Sequence, residues 1–169
     1  DHILSIDPLA RTATLQPGVS NLAISEAAAR YGLYYGPDPS SQIACTIGGN
    51  VAENSGGVHC LKYGLTVHNI LSLKVLTVAG EEMTIGSRGL DSPGYDLLAL
   101  FAGSEGLLGI VTEITVRLLP SPELAQVVMA GFESVSAAGV AVGAVIAAGI
   151  IPAGLEMMDR LAIQAAEDF

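Results

Sequence analysis

PDPSSQIACTIGGNVAENSGGVHCLKYG, from Pro37 to Gly64, is the stretch on which this chain turns. It lies within a segment, Gly36 to Gly64, that shows neither the 3.6-residue period of a helix nor the alternation of a strand. A structureless run of that length inside a compact domain usually carries function. Its residue types share a purpose. Paired glycines at 48–49 and 56–57 let backbone N–H groups approach a ligand without an intervening Cβ. Ser, Thr and Asn add neutral hydrogen bonds suited to phosphate, ribose or a ring edge. The residues alone leave two readings open, a pyrophosphate cradle or a surface loop of turn formers.

Working outward, a second glycine cluster lies at Gly103-Ser104-Glu105-Gly106-Leu107-Leu108-Gly109. It opens into the clearest strand of the chain, Gly109 to Leu118, where Ile110, Val111, Ile114, Val116 and Leu118 interleave with Thr112, Glu113, Thr115 and Arg117. This cluster too reads either as a ligand-accessible strand entrance or as a plain turn.

The flanks read as ordinary secondary structure. Ile3 to Ile6 and Thr12 to Gln16 suit short strands. Ser20 or Asn21 can cap a helix to Tyr31, with Gly32 to stop it. Asn69 to Ala79 and Met83 to Ile85 suit a strand pair turning at Gly80-Glu81-Glu82. A short helix is expected around Asp96 to Leu100 within Ser92 to Phe101. Pro120-Ser121-Pro122 breaks the chain and is the expected domain boundary, separating residues 1–120 from 121–169. Beyond it a strand is expected at Gln126 to Phe132, and helices at Val135 to Ala148 and Asp159 to Glu167.

Composition narrows the function classes. A net charge of −10 argues against a nucleic-acid surface. Ser134 to Ile151 carries no charge, but its Ala, Gly and Val content suits a buried helix of a soluble domain better than a membrane span. Cys45 and Cys60 form no CxxC and read as reduced cytoplasmic thiols. His2, His59 and His68 are too dispersed for a zinc site, no metal set is expected, and His59 and His68 read as structural. There is no G-x-G-x-x-G and no P-loop. Ser104 lacks the first glycine of a nucleophile elbow, where Ala102 stands instead. Cys45 has no cationic partner in view to make it a reactive thiolate.

The two glycine segments, in this order, together with Leu15-Gln16-Pro17-Gly18-Val19, resemble the PCMH-type FAD-binding domain of the vanillyl-alcohol-oxidase flavoprotein superfamily. Within it the likeness is to FAD-linked D-2-hydroxy-acid oxidoreductases of the glycolate-oxidase and D-lactate-dehydrogenase type. The resemblance implies an α+β fold. It would comprise the second half of that domain, a mixed sheet with flanking helices, followed by the start of an α+β substrate (cap) domain. The domain's N-terminal half and most of the cap would lie outside the chain.

By position the resemblance implies FAD contacts. Pro37, Asp38 and Ser40 would border the isoalloxazine or its ribityl chain. Cys45, Thr46, Gly48, Gly49 and Asn50 would meet the pyrophosphate and flavin. Ala52, Asn54 and Gly56 would line the same cavity, with Tyr63 and Gly64 at its end. Glu105, Gly109, Ile110 and Val111 would hold the other side. The catalytic set is unknown from this stretch. The implied reaction is oxidation of glycolate or D-lactate to the 2-oxo acid by hydride transfer to the flavin. Electrons would pass on to a carrier, a sister flavin subunit or an iron-sulfur subunit. The protein would be cytoplasmic, or peripheral to the inner membrane through its partners. The alternatives are a non-catalytic FAD-binding subunit, a 2-hydroxyglutarate dehydrogenase and an alkyl-glycerone-phosphate synthase relative.

Overall fold

The computed structural model describes residues 1–87 and 94–169. Its centre is a five-stranded sheet of β1 (Ile3–Asp7), β2 (Thr12–Leu15), β4 (Ile70–Leu76), β5 (Glu82–Gly86) and β6 (Ile110–Arg117), in the order β1-β2-β6-β4-β5. Strand β6 is the middle one, as its strong alternation suggests. Leu15 and Leu73 both stand in register with Ile114, and Ala13 with Val116. All of these side chains are buried. Every pairing in the sheet is antiparallel, so the expected α+β class is found with an antiparallel sheet where a mixed one was expected. A separate pair joins β3 (Leu33–Tyr34) to β7 (Leu119–Pro120).

Helix α1 (Asn21–Ala29) begins at Ser20, whose hydroxyl accepts the Ala23 N–H, and buries Ile24 and Ala28. It stops two residues before the expected Tyr31, because the chain then turns through Gly32 at φ +67°. The segment without period contains two short helices, α2 (Ile47–Glu53) and α3 (Cys60–Tyr63). Thr46 caps α2, accepting the Gly49 N–H. Asn54 ends it in the left-handed conformation. Ile47 and Val51 are the inward face of α2.

Helix α4 (Leu97–Phe101) is capped by Asp96 and packs against β4 and β5. The part of its expected segment at Ser92 and Pro93 lies outside the described residues.

Two expectations for the C-terminal part are corrected. Residues 126–132 form no strand, since Val127, Val128 and Met129 are exposed and no strand edge among the described residues pairs with them. Helix α5 (Val135–Ala147) forms where expected, but none of its residues is buried, because it is not packed against the core. The same holds for α6 (Arg160–Glu167). No helix among the described residues is long and apolar enough to cross a membrane. Cys45 and Cys60 are free and half-buried.

Candidate functional site

Backbone hydrogen bonds bring two separate segments to α2. At its start, Ile47 N–H donates to the Val19 carbonyl and Gly48 N–H to the Pro17 carbonyl, each at 2.8 Å. At its end, the Val51 carbonyl accepts from Gly103 N–H at 2.8 Å and the Ala52 carbonyl from Glu105 N–H at 3.0 Å. These bonds join the last carbonyls of the helix to the second glycine loop, the Val51 carbonyl accepting Asn54 N–H as well. The loop is bent to reach them, with Gly103, Glu105 and Gly106 all at positive φ.

Between these segments lies an open groove of about 420 Å³. One wall is Pro17 and Gly18. The floor is Thr46, Gly48, Gly49, Val51 and Ala52. The far wall is Phe101, Ser104 and Gly106, continuing to Gly109, Ile110 and Val111. Among the described residues no lining residue carries a charge; Thr46 and Ser104 bring hydroxyls into an otherwise apolar, glycine-bare slot.

The glycines there do different work. A methyl at Gly48 would stand 2.6 Å from Pro17 Cβ, and one at Gly109 would stand 2.6 Å from Val75 and 2.9 Å from the Leu76 carbonyl. Both positions are bare because protein packs against them. A methyl at Gly49 meets only the Thr46 hydroxyl, at 3.4 Å, and one at Gly106 meets nothing within 4 Å. Those two keep the groove open. The expectation that successive glycine N–H groups would face a phosphate changes accordingly. Gly48 N–H and Gly49 N–H are already donated within the protein, to Pro17 O and Thr46 Oγ1.

A second cluster forms around Asp38, away from the groove lining. His59 Nδ1 lies 2.5 Å from Asp38 Oδ2. The Tyr63 ring sits 6.4 Å from the His59 ring and edge-on to Tyr34 at 6.1 Å. Lys62 Nζ lies over the Tyr63 ring. Burial, then the Tyr63 hydroxyl, then the Asp38 charge push the Tyr34 phenol well above its ordinary value. Tyr35, buried in the core with no hydrogen-bond partner for its hydroxyl among the described residues, is likewise pushed up, chiefly by burial, with the nearby Thr66 working against the shift and Cys45 adding to it. The two clusters are joined through buried amides. Asn50, on α2, donates to Asn21, which donates to the Pro37 carbonyl.

Most of the residues named from sequence fall in two places. Thr46, Gly48, Gly49, Ala52, Gly109, Ile110 and Val111 line the groove. Pro37, Asp38, Gly56 and Tyr63 lie in or beside the Asp38 cluster, where Gly56 packs on Leu65 and Cys60. Gly64, at φ +81°, sits against His68. Asn50 and Asn54 act inside the protein, the latter accepting Val67 N–H at 3.0 Å. Glu105 is exposed and shapes the loop through its backbone. Ser40 and Cys45 are outside the groove lining. Sequence reasoning did not name Pro17, Gly18, Val51, Phe101, Ser104 and Gly106 as lining residues, nor His59 as the partner of Asp38. Pro17-Gly18 had a signal in its turn-forming pair; His59 had none.

The comparisons with known proteins bear directly on this groove. The family described as "FAD binding domain" matches residues 1–86. The chain belongs to that FAD-binding domain family. A second family, "FAD linked oxidases, C-terminal domain", matches residues 121–169. The chain is 68% identical over 168 residues to "Glycolate oxidase subunit GlcD" of Escherichia coli (strain K12), covering 99% of this chain and 34% of that protein. It is 46% identical to the protein of the same name from Bacillus subtilis (strain 168), covering 100% of this chain and 36% of the relative. The chain thus spans about a third of the length of these relatives. Among solved structures, "alkyldihydroxyacetonephosphate synthase in P212121" superposes with a TM-score of 0.76 at 25% identity, over 91% of this chain and 28% of that one. FAD is the cofactor of this FAD-binding domain. The groove fits such a group. It is neutral and largely apolar, and at Gly49 and Gly106 its lining is bare backbone that a side chain would fill.

Proposed function

We propose that the intact protein is an FAD-linked oxidoreductase that oxidises a small D-2-hydroxy acid, glycolate first and D-lactate second, to the 2-oxo acid. The observation that carries this reading is the 68% identity to a relative named as a glycolate oxidase subunit. Thr46, Gly48, Gly49, Ala52, Gly109, Ile110 and Val111 would hold FAD along the groove, and Pro37, Asp38 and Tyr63 would stand at its other end. When bound, FAD supplies a two-electron acceptor for the C–H bond being oxidised. This chain's own residues bind and orient the cofactor and keep one face of it from water. Residues 1–120 would be the cofactor domain, and residues from 121 the start of a substrate domain that supplies the acid-binding groups and the base.

The word "subunit" in the relatives' name supports an assembly with further chains. A sister flavin subunit and an iron-sulfur subunit would take the electrons onward, with the protein in the cytoplasm or held peripherally to a membrane by those partners.

The deciding experiment is the absorbance spectrum of the intact protein, kept anaerobic, before and after adding glycolate or D-lactate. Bleaching of a flavin band by one acid is the expected result. A flavin band that neither acid bleaches would remove the substrate assignment and leave a cofactor-binding subunit. Absence of a flavin band after reconstitution with FAD would overturn the reading altogether.

A further inference from the structure

The sequence marks His59 as a structural histidine, yet the fold places it on Asp38. We infer that His59 is a positioning residue, fixing the Asp38 carboxylate at the Asp38 end of the cofactor site. This rests on the reading that Asp38 borders the bound cofactor.

Asp38 is anchored from two sides. Its backbone is held by the preceding residue, whose carbonyl accepts the Asn21 Nδ2 hydrogen bond at 2.9 Å from inside the core. Its carboxylate is held by His59 Nδ1, which must carry the proton to donate to Oδ2. The other oxygen, Oδ1, is buried against Gly57, where a methyl would come within 2.5 Å of it, and finds no hydrogen-bond partner among the described residues. Among the described residues the imidazole is therefore the one group that pairs this half-buried carboxylate. A carboxylate so placed keeps its orientation only while that donor is present.

The imidazole is itself partly exposed, with its ring centroid 6.4 Å from that of Tyr63 and the Gly154 backbone near its other edge. Gly154 belongs to the stretch matched by the FAD-linked oxidase C-terminal family. His59 thus lies between the Asp38 loop and the first part of that second region. Other charged and titratable groups at the cluster are Lys62, Tyr34 and Tyr63, and none of them makes a hydrogen bond to the Asp38 carboxylate.

The test compares His59→Asn with His59→Gln in the intact protein reconstituted with FAD. An Asn amide nitrogen falls near the position of imidazole Nδ1, whereas a Gln amide reaches the position of Nε2. Three quantities are read: the dissociation constant for FAD, the visible absorption bands of the bound flavin, and its midpoint potential. His59→Asn should stay close to wild type in all three. His59→Gln should weaken FAD binding about tenfold and displace the bands or the potential, the scale of a lost hydrogen bond to a charged group. Equal behaviour of the two variants, whether both intact or both impaired, would overturn the inference, as would a better-preserved His59→Gln. Wild-type protein that takes up no FAD would overturn the functional reading and this inference with it. Wild type with normal flavin and indifferent variants would remove the inference alone.

Discussion

Asn50 Nδ2 donates to Asn21 Oδ1 at 2.8 Å, both side chains being almost wholly buried. This bond ties helix α2, the floor of the groove, to helix α1. Because Asn21 passes a second bond to the Pro37 carbonyl, the groove and the Asp38 cluster are held at fixed separation by one polar chain. Asn21→Ala removes both bonds and leaves the Asn50 amide and the Pro37 carbonyl unpaired in the core. The expected cost is about 2–4 kcal/mol. Asn50→Leu should cost about 1–3 kcal/mol, and the double variant less than the sum, because the two share one bond. Urea denaturation of all four proteins gives the coupling directly; additive losses would show that the amides do not act together.

Gly48 and Gly49 are adjacent, yet their substitution should fail in different ways. Gly48→Ala drives a methyl against Pro17 and should lower stability by about 1–3 kcal/mol. Gly49→Val meets no packed neighbour beyond the Thr46 hydroxyl, so the melting temperature should hold while FAD retention falls. Thermal melts of the protein without cofactor, set beside flavin content after reconstitution, separate the two. Full flavin occupancy in Gly49→Val would remove the groove floor from the cofactor site.

Gly109 belongs with Gly48. A side chain there collides with Val75 and the Leu76 carbonyl of the neighbouring strand. Gly109→Val should therefore disturb the β4–β6 pairing and cost stability even when FAD is absent. Loss of FAD binding with an unchanged melt would contradict this and show that the glycine is required by the cofactor alone and not by packing.

These contrasts mark what the sequence could convey. Strand β6 was legible because Ile114 and Val116 alternate with polar residues and both faces of the pattern are satisfied in the sheet. Helix α2 was hidden because Gly48 and Gly49 have poor helix propensity; its stability comes from the Thr46 cap and the buried Ile47 and Val51, which are tertiary facts. The stretch from 126 to 132 had strand composition but has no partner, and composition cannot supply one. Both halves of the groove showed as glycine clusters. Their meeting depends on carbonyls of Val51 and Ala52 bonding backbone N–H groups of Gly103 and Glu105, which no side-chain pattern records. The pairing of Asp38 with His59 is equally a product of the fold.

The buried Tyr35 gives a prediction on pH. Burial raises its phenol above the ordinary value of about 10, so the unfolded chain releases that proton before the folded one does. Below about pH 10 the phenol is neutral in both states and stability does not depend on it. As pH rises beyond that, the unfolded state gains from ionisation while the folded state does not. Stability should then fall with a slope approaching about 1.4 kcal/mol per pH unit from this group, until the folded phenol itself titrates. Tyr35→Phe removes this ionisable phenol. Thr66 remains paired in that variant, because its hydroxyl donates to the Ser55 carbonyl at 2.7 Å. Urea midpoints measured from about pH 8 to about pH 11 should show a shallower alkaline decline for Tyr35→Phe than for wild type. Parallel curves would mean that Tyr35 ionises as readily in the folded chain as in the unfolded one.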